Sequence, residues 1–180
     1  MSVPREILWP IEPHTKAKHE ILKKYLQRWF PILNKYNKIL NYIDGFCGPG
    51  RYKGGEPGSP LIALNVALNQ KLSGNIMFLF VDERSDRIEH LKTELKNLSI
   101  PSHFTVVAET GFFYQKLSDE LDDIDKRQAE IPPTFAFIDP FGFSGVPFEL
   151  IKRLLHKPRC EVLITFMVDS INRWINHPEQ

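Results

Sequence analysis

Lys38-Ile-Leu-Asn-Tyr-Ile-Asp44-Gly45-Phe46-Cys47-Gly48-Pro49-Gly50 is a short, mostly apolar run that stops on glycines. That pattern reads as a buried strand handing the chain to a tight turn. Outward from it the sequence alternates. Residues 61–72 carry Leu61, Leu64, Ala67 and Leu68 on one helical stripe, and Ile76-Met-Phe-Leu-Phe-Val81 is a continuous apolar run of the kind a strand covered on both faces needs. Residues 85–97 return to helical spacing through Ile88, Leu91 and Leu95. Residues 104–108 read as strand, 111–125 as helix, 135–138 as strand, 147–155 as a helix opened by Pro147, and 162–166 as a last strand. Upstream, residues 15–30 place Ile21, Leu22, Tyr25, Leu26 and Trp29 on one face of an amphipathic helix, with Thr15 expected as its cap and Pro31 expected to interrupt it. Five strands alternating with helices predict an α/β chain with a parallel sheet flanked by helices. Residues 1–38 are expected to form a basic helical segment packed on a core domain of residues 39–180, all within one domain.

Composition narrows the class. The chain has 180 residues, 42% of them hydrophobic and 25% charged, which is enough for a buried core and too apolar for wholesale disorder. Its two cysteines, Cys47 and Cys160, cannot make a disulfide framework and point to a reducing compartment. No apolar run approaches the ~18 residues of a membrane span, and the first residues lack the apolar centre of a signal peptide. A cytoplasmic location away from the membrane is the expectation. The net charge of +1 hides an uneven distribution. Between residues 14 and 38 seven basic residues face one acid, whereas between 109 and 130 seven acids face three basic residues. A basic N-terminal face suits an anionic partner, nucleic acid above all, although a solvated helix face has the same composition.

In open parallel sheets ligands bind beyond the carboxyl ends of the strands, so the residues just after each strand carry the chemistry. A dinucleotide fingerprint needs G-x-G-x-x-G leading straight into a helix. Here Gly48 and Gly50 are followed by Arg51-Tyr-Lys-Gly54, one residue too many, and by a further loop through Ser59. That spacing disfavours a nicotinamide-dependent oxidoreductase, and no Gly-Lys-Ser/Thr follows to make a phosphate-binding loop. Cys47 has no base beside it in sequence and reads as a small residue packed in the turn.

An acid ahead of a glycine loop, Asp44-Gly45-Phe46-Cys47-Gly48-Pro49-Gly50, resembles the first motif of Rossmann-like S-adenosylmethionine methyltransferases. The resemblance implies that Asp44, Gly45, Phe46, Gly48 and Gly50 surround the methionine part of the cofactor. It also implies that Asp82, at the end of the second strand, or its neighbour Glu83, takes the ribose hydroxyls, because a carboxylate offers two acceptors to two vicinal donors. Phe135-Ala-Phe-Ile-Asp139-Pro140-Phe141-Gly142-Phe143 is similar to the Asp/Asn-Pro-Pro-aromatic motif of methyltransferases that modify exocyclic amines of nucleobases, with Phe141 in place of the second proline and Gly142 in place of the aromatic. By that likeness Asp139 and Pro140 orient a target amine and Phe141 or Phe143 stacks on the base. The bland reading of both runs is an ordinary strand-to-helix turn and an Asp-Pro strand end.

Three runs together, Trp9-Pro-Ile-Glu-Pro-His14-Thr-Lys16-Ala-Lys18-His19-Glu-Ile-Leu, the glycine loop, and Ile138-Asp-Pro-Phe-Gly-Phe-Ser-Gly-Val-Pro147, resemble the three-Cys-motif partner protein family, as does the tail Leu163-Ile-Thr-Phe-Met-Val-Asp-Ser-Ile-Asn-Arg173. The resemblance implies a class I methyltransferase fold, S-adenosylmethionine as cofactor, and a partner that carries a radical-SAM-like three-cysteine motif. The end of the chain after the fifth strand leads to the expectation that the antiparallel strand pair of that fold is lacking. The N-terminal run is also similar to that of ribosomal-RNA adenine methyltransferases, which implies phosphate contacts for Lys16 and Lys18 and a place lining the crevice for His14 or His19. The reaction implied is methylation of a nucleic-acid base nitrogen, RNA before DNA. The rival is a non-catalytic module that serves the three-cysteine protein.

Overall fold

The computed structural model describes residues 5–140 and 146–165. Within them the chain runs α1 (Pro13–Asn34), β1 (Ile39–Asp44), α2 (Ser59–Leu68), β2 (Asn75–Asp82), α3 (Ser85–Lys96), β3 (Phe104–Thr110), α4 (Phe113–Arg127), β4 (Thr134–Ile138), α5 (Phe148–Leu155) and β5 (Cys160–Ile164). The strands form one sheet in the order β3-β2-β1-β4-β5, and every neighbouring pair is parallel. The architecture is therefore the expected α/β, Rossmann-like one. The order reverses between β1 and β4, the switch point at which such sheets open a crevice. The strand pair expected to be lacking concerns residues after 165, which lie outside the described residues.

Side-chain alternation along the strands divides the core in two. Leu40, Tyr42, Phe78, Phe80, Phe135 and Phe137 point to one face and meet Leu22, Leu26, Trp29 and Phe30 of α1 and the inner faces of α2 and α3. Ile43, Val81, Ala136 and Ile138 point to the other face and meet α4 and α5. All five residues of β4 are buried, as a strand covered on both faces requires. The first face is dense in rings. Phe78 alone lies 5.7 to 6.1 Å, centroid to centroid, from Phe30, Tyr42, Phe80 and Phe104.

The N-terminal helix departs from the sequence reading at both ends. It begins at Pro13 rather than after Thr15, and its cap residue Glu12 makes no side-chain cap bond. Proline at the first position needs no donor, which suits this start. Pro31 does not interrupt it either, since the helix continues to Asn34. A proline inside a helix frees the carbonyl four residues earlier, here that of Gln27. The Gln70 side chain, in the turn after α2, donates to that carbonyl at 3.1 Å. The bond lost to Pro31 is thus replaced from a neighbouring element, and the helix passes through. Among the described residues no helix is long and apolar enough to cross a membrane.

Phe78 is fully buried and Met77, its neighbour on β2, is 46% exposed. Urea denaturation of Phe78→Ala is expected to show a loss of about 3–5 kcal/mol. Met77→Ala is expected to cost under about 1 kcal/mol.

Candidate functional site

Three neighbouring strands place a carboxylate at the carboxyl edge of the sheet: β1 ends in Asp44, β2 ends in Asp82, and β4 is followed at once by Asp139. Between β1 and α2 the glycine loop is stitched to its neighbours, with Gly45 N–H donating to the Phe137 carbonyl at 3.1 Å and Cys47 N–H to that of Val81 at 3.0 Å. Gly48 and Gly50 adopt φ of +63° and +84°, a region that favours glycine. Residues 51–57 form a small closed loop, bridged between Arg51 and Pro57 and shut by Gly58 N–H on the Gly50 carbonyl. This loop postpones α2 to Ser59.

Asp44 is fully buried. Its Oδ1 accepts the Phe46 N–H at 3.4 Å, and the Ser59 hydroxyl stands beside the carboxyl. Burial pushes its carboxyl up to about 7, opposed by the Ser59 hydroxyl and the Phe46 N–H, with the charges of Asp139 and Asp82 adding to the rise. Asp82 is 5% exposed and spoken for on both oxygens: Oδ2 accepts Gly48 N–H at 3.0 Å and Oδ1 accepts Arg84 N–H at 2.9 Å. Arg87, 2% exposed, sets Nη1 3.8 Å from Asp82 and lies 4.7 Å from the centre of the Trp9 ring. Glu83 stands exposed beside them.

The N-terminal residues cover this loop. Arg84 donates to the Arg5 carbonyl at 2.9 Å, Lys53 N–H donates to the Trp9 carbonyl at 3.0 Å, and the Trp9 ring sits over Gly48. From α1, Lys18 Nζ reaches both oxygens of Asp139, at 2.8 and 2.6 Å. Both side chains are mostly buried, at 20% and 17% exposure, a setting in which a carboxylate and an ammonium must be paired. His19, 7% exposed, lies 5.7 Å from the Tyr52 ring, and its Nδ1 is buried without a partner among the described residues. Burial lowers its pKa to about 4; Asp139 and Glu20 oppose that fall and Lys18 adds to it.

The sequence-selected residues are therefore brought together in part. Asp139, His19, Phe46, Gly48 and Gly50 line one crevice with Trp9 and Tyr52. Gly45 lies beneath, where an added Cβ would fall 2.5 Å from the Phe113 ring. Pro140 is buried at the end of β4. His14 stands apart, half exposed and 3.2 Å from Glu12, and Lys16 turns toward Glu56 at 3.7 Å. Phe141 and Phe143 lie outside the described residues. Cys47 is buried as a packed side chain, and burial raises its thiol well above the ordinary range. Arg87, Trp9 and the pairing of Lys18 with Asp139 were not selected for these roles. The N-terminal run marked Lys18 as an expected phosphate contact, and its pairing with Asp139 was not foreseen. Compared with protein-family models the chain matches none, and it matches no curated protein.

The two displaced titrations have opposite signs. Asp44, raised, stabilises the fold below about pH 4 and loses that contribution as pH climbs toward 7. His19, lowered, contributes stability above about 6.5 that is lost as pH falls toward 4. Thermal melts between pH 4.5 and 7 are expected to show stability rising with pH in Asp44→Asn, where only the histidine remains. They are expected to show it falling with pH in His19→Gln. The same slope in both variants would refute the assignment.

Proposed function

We propose that the chain is a class I S-adenosylmethionine-dependent methyltransferase acting on a nucleic-acid base nitrogen, RNA before DNA. One observation carries the reading: Asp139 lines a crevice with the glycine loop at the switch point, while Asp44 and Asp82, each at the end of its own strand, lie buried behind that loop. The donor set suits the cofactor. Each oxygen of Asp82 keeps a second lone pair for a ribose hydroxyl, with the exposed Glu83 next to it, while Asp44 lies fully buried under the loop. The volume does not suit it with the cover down, since the crevice measures about 40 Å³ against the roughly 300 Å³ at the low end of ligand pockets. Binding therefore requires residues 5–12 to lift from the loop.

S-adenosylmethionine supplies an already activated methyl group, so the protein's work is alignment. Asp139 accepts an N–H of the target amine and turns the nitrogen lone pair toward the crevice. Lys18 holds the Asp139 carboxylate in one orientation through both of its oxygens. Phe141 or Phe143 stacks on the base. A second reading, a non-catalytic module for the three-cysteine protein, is favoured by the same closed crevice.

Calorimetric titration with S-adenosylmethionine and S-adenosylhomocysteine is expected to show binding that Asp82→Ala abolishes. Trp9→Ala is expected to bind faster in stopped flow, because it thins the cover. In labelled-methyl assays on RNA, Asp139→Ala is expected to lose about 100-fold or more in rate. Absence of cofactor binding by the wild type would turn the choice to the module.

A further inference from the structure

On the far side of His19 from the crevice runs a groove of about 830 Å³ between α1 and α2, within the range of built ligand sites. Its floor is apolar, from Ile11, Ile62 and Val66. Four amides, Gln27, Asn65, Asn69 and Gln70, stand along its walls, and Lys16 and Lys23 rise from α1. Three of its residues carry a buried polar atom with no hydrogen-bond partner among the described residues: His19 Nδ1, Glu56 Oε2 and Gln70 Oε1. Each such atom costs about 1–3 kcal/mol while unmet. These atoms are themselves buried beneath the walls, so it is the exposed amides and lysines around them that a ligand in the groove meets. Gln70 cannot swing away to find another partner, because its amide nitrogen is already committed to the carbonyl freed by Pro31.

We propose that this groove is a track for single-stranded nucleic acid, a proposal that rests on the methyltransferase reading for what happens where the track ends. The chemistry of the walls selects the occupant. Amide side chains match base edges bidentately, and carboxylates such as Glu20 and Glu56 accept from base amino groups. Isoleucine and valine meet base faces. Lys16 and Lys23, with Lys24 and Arg28 exposed on the same helix, meet phosphates. From His19 to Gln27 the α1 wall is eight residues of helix, about 12 Å. Base edges and faces turned toward these walls are free in a single strand and paired away in a duplex. At the His19 end the groove abuts Lys18 and Asp139, so a strand lying in it brings its next base to the carboxylate already assigned to the target amine.

The test is fluorescence anisotropy with a labelled single-stranded RNA of about 20 nucleotides, its DNA counterpart and its duplex. Two variants sit at exposed positions on the groove: Lys23→Glu, which reverses a phosphate contact, and Asn69→Trp, which fills the channel. Lys126→Glu, on α4 across the sheet, is the control for net charge, and circular dichroism verifies that all are folded. Wild type is expected to bind both single strands and to bind the duplex more weakly. Each groove variant is expected to weaken single-strand binding by about tenfold or more, the size of one good base contact, with Lys126→Glu unchanged. Equal binding by wild type and both groove variants overturns the proposal, as does tighter binding of the duplex or no binding of either strand. The calorimetric titration with S-adenosylmethionine separates the two readings. Cofactor binding with an indifferent groove leaves the methyltransferase and removes the track, whereas strand binding lost in the groove variants without cofactor binding keeps the track and removes the methyltransferase.

Discussion

The Asp82 carboxylate holds four separate pieces of the molecule in register. It ends β2, receives the N–H of Gly48 from the glycine loop, receives the N–H of Arg84 at the start of α3, and faces the Arg87 guanidinium, on which the Trp9 ring rests. A buried carboxylate with a single partner would be a liability, whereas one with two N–H donors and a nearby cation is a fixed point. The loop conformation at the switch point and the position of the N-terminal cover both follow from that one group. Any ligand drawn to Asp82 must therefore negotiate with the cover, since the same arginine serves both.

Around this point the site is organised by mutual compensation. Asp139 is matched by Lys18 from a helix more than a hundred residues earlier, so the first helix is part of the crevice rather than an appendage. Asp44 has no such cation, and its carboxyl responds by holding its proton to about 7. His19 responds to the same surroundings in the other direction. One carboxyl kept protonated and one imidazole kept neutral limit the net charge that the closed crevice must bury.

Strand and helix placement could be read from sequence because short continuous apolar runs alternate with stretches of helical period, most plainly at Ile76–Val81 and at Ile88, Leu91 and Leu95. The carboxylates after β1, β2 and β4 were equally visible, since strand ends in a parallel sheet fall at one edge. Pairings between distant elements were not. Nothing local to Lys18 points to Asp139, and the continuity of α1 through Pro31 depends on a side chain 39 residues away. Local rules gave a break at Pro31 because they count only bonds within the helix. The start at Pro13 was missed for a similar reason, as Thr15 has the right chemistry for a cap but the proline has the right geometry for a first turn.

The bond from Gln70 to Gln27 has a bearing on cooperativity. A helix normally carries all its own backbone bonds, but α1 has at Gln27 a carbonyl that Pro31 cannot serve and that the turn after α2 reaches. Its end is thereby tied to α2, which couples fraying of α1 to loosening of that turn. The two walls of the groove are thus joined by a bond across them as well as by packing.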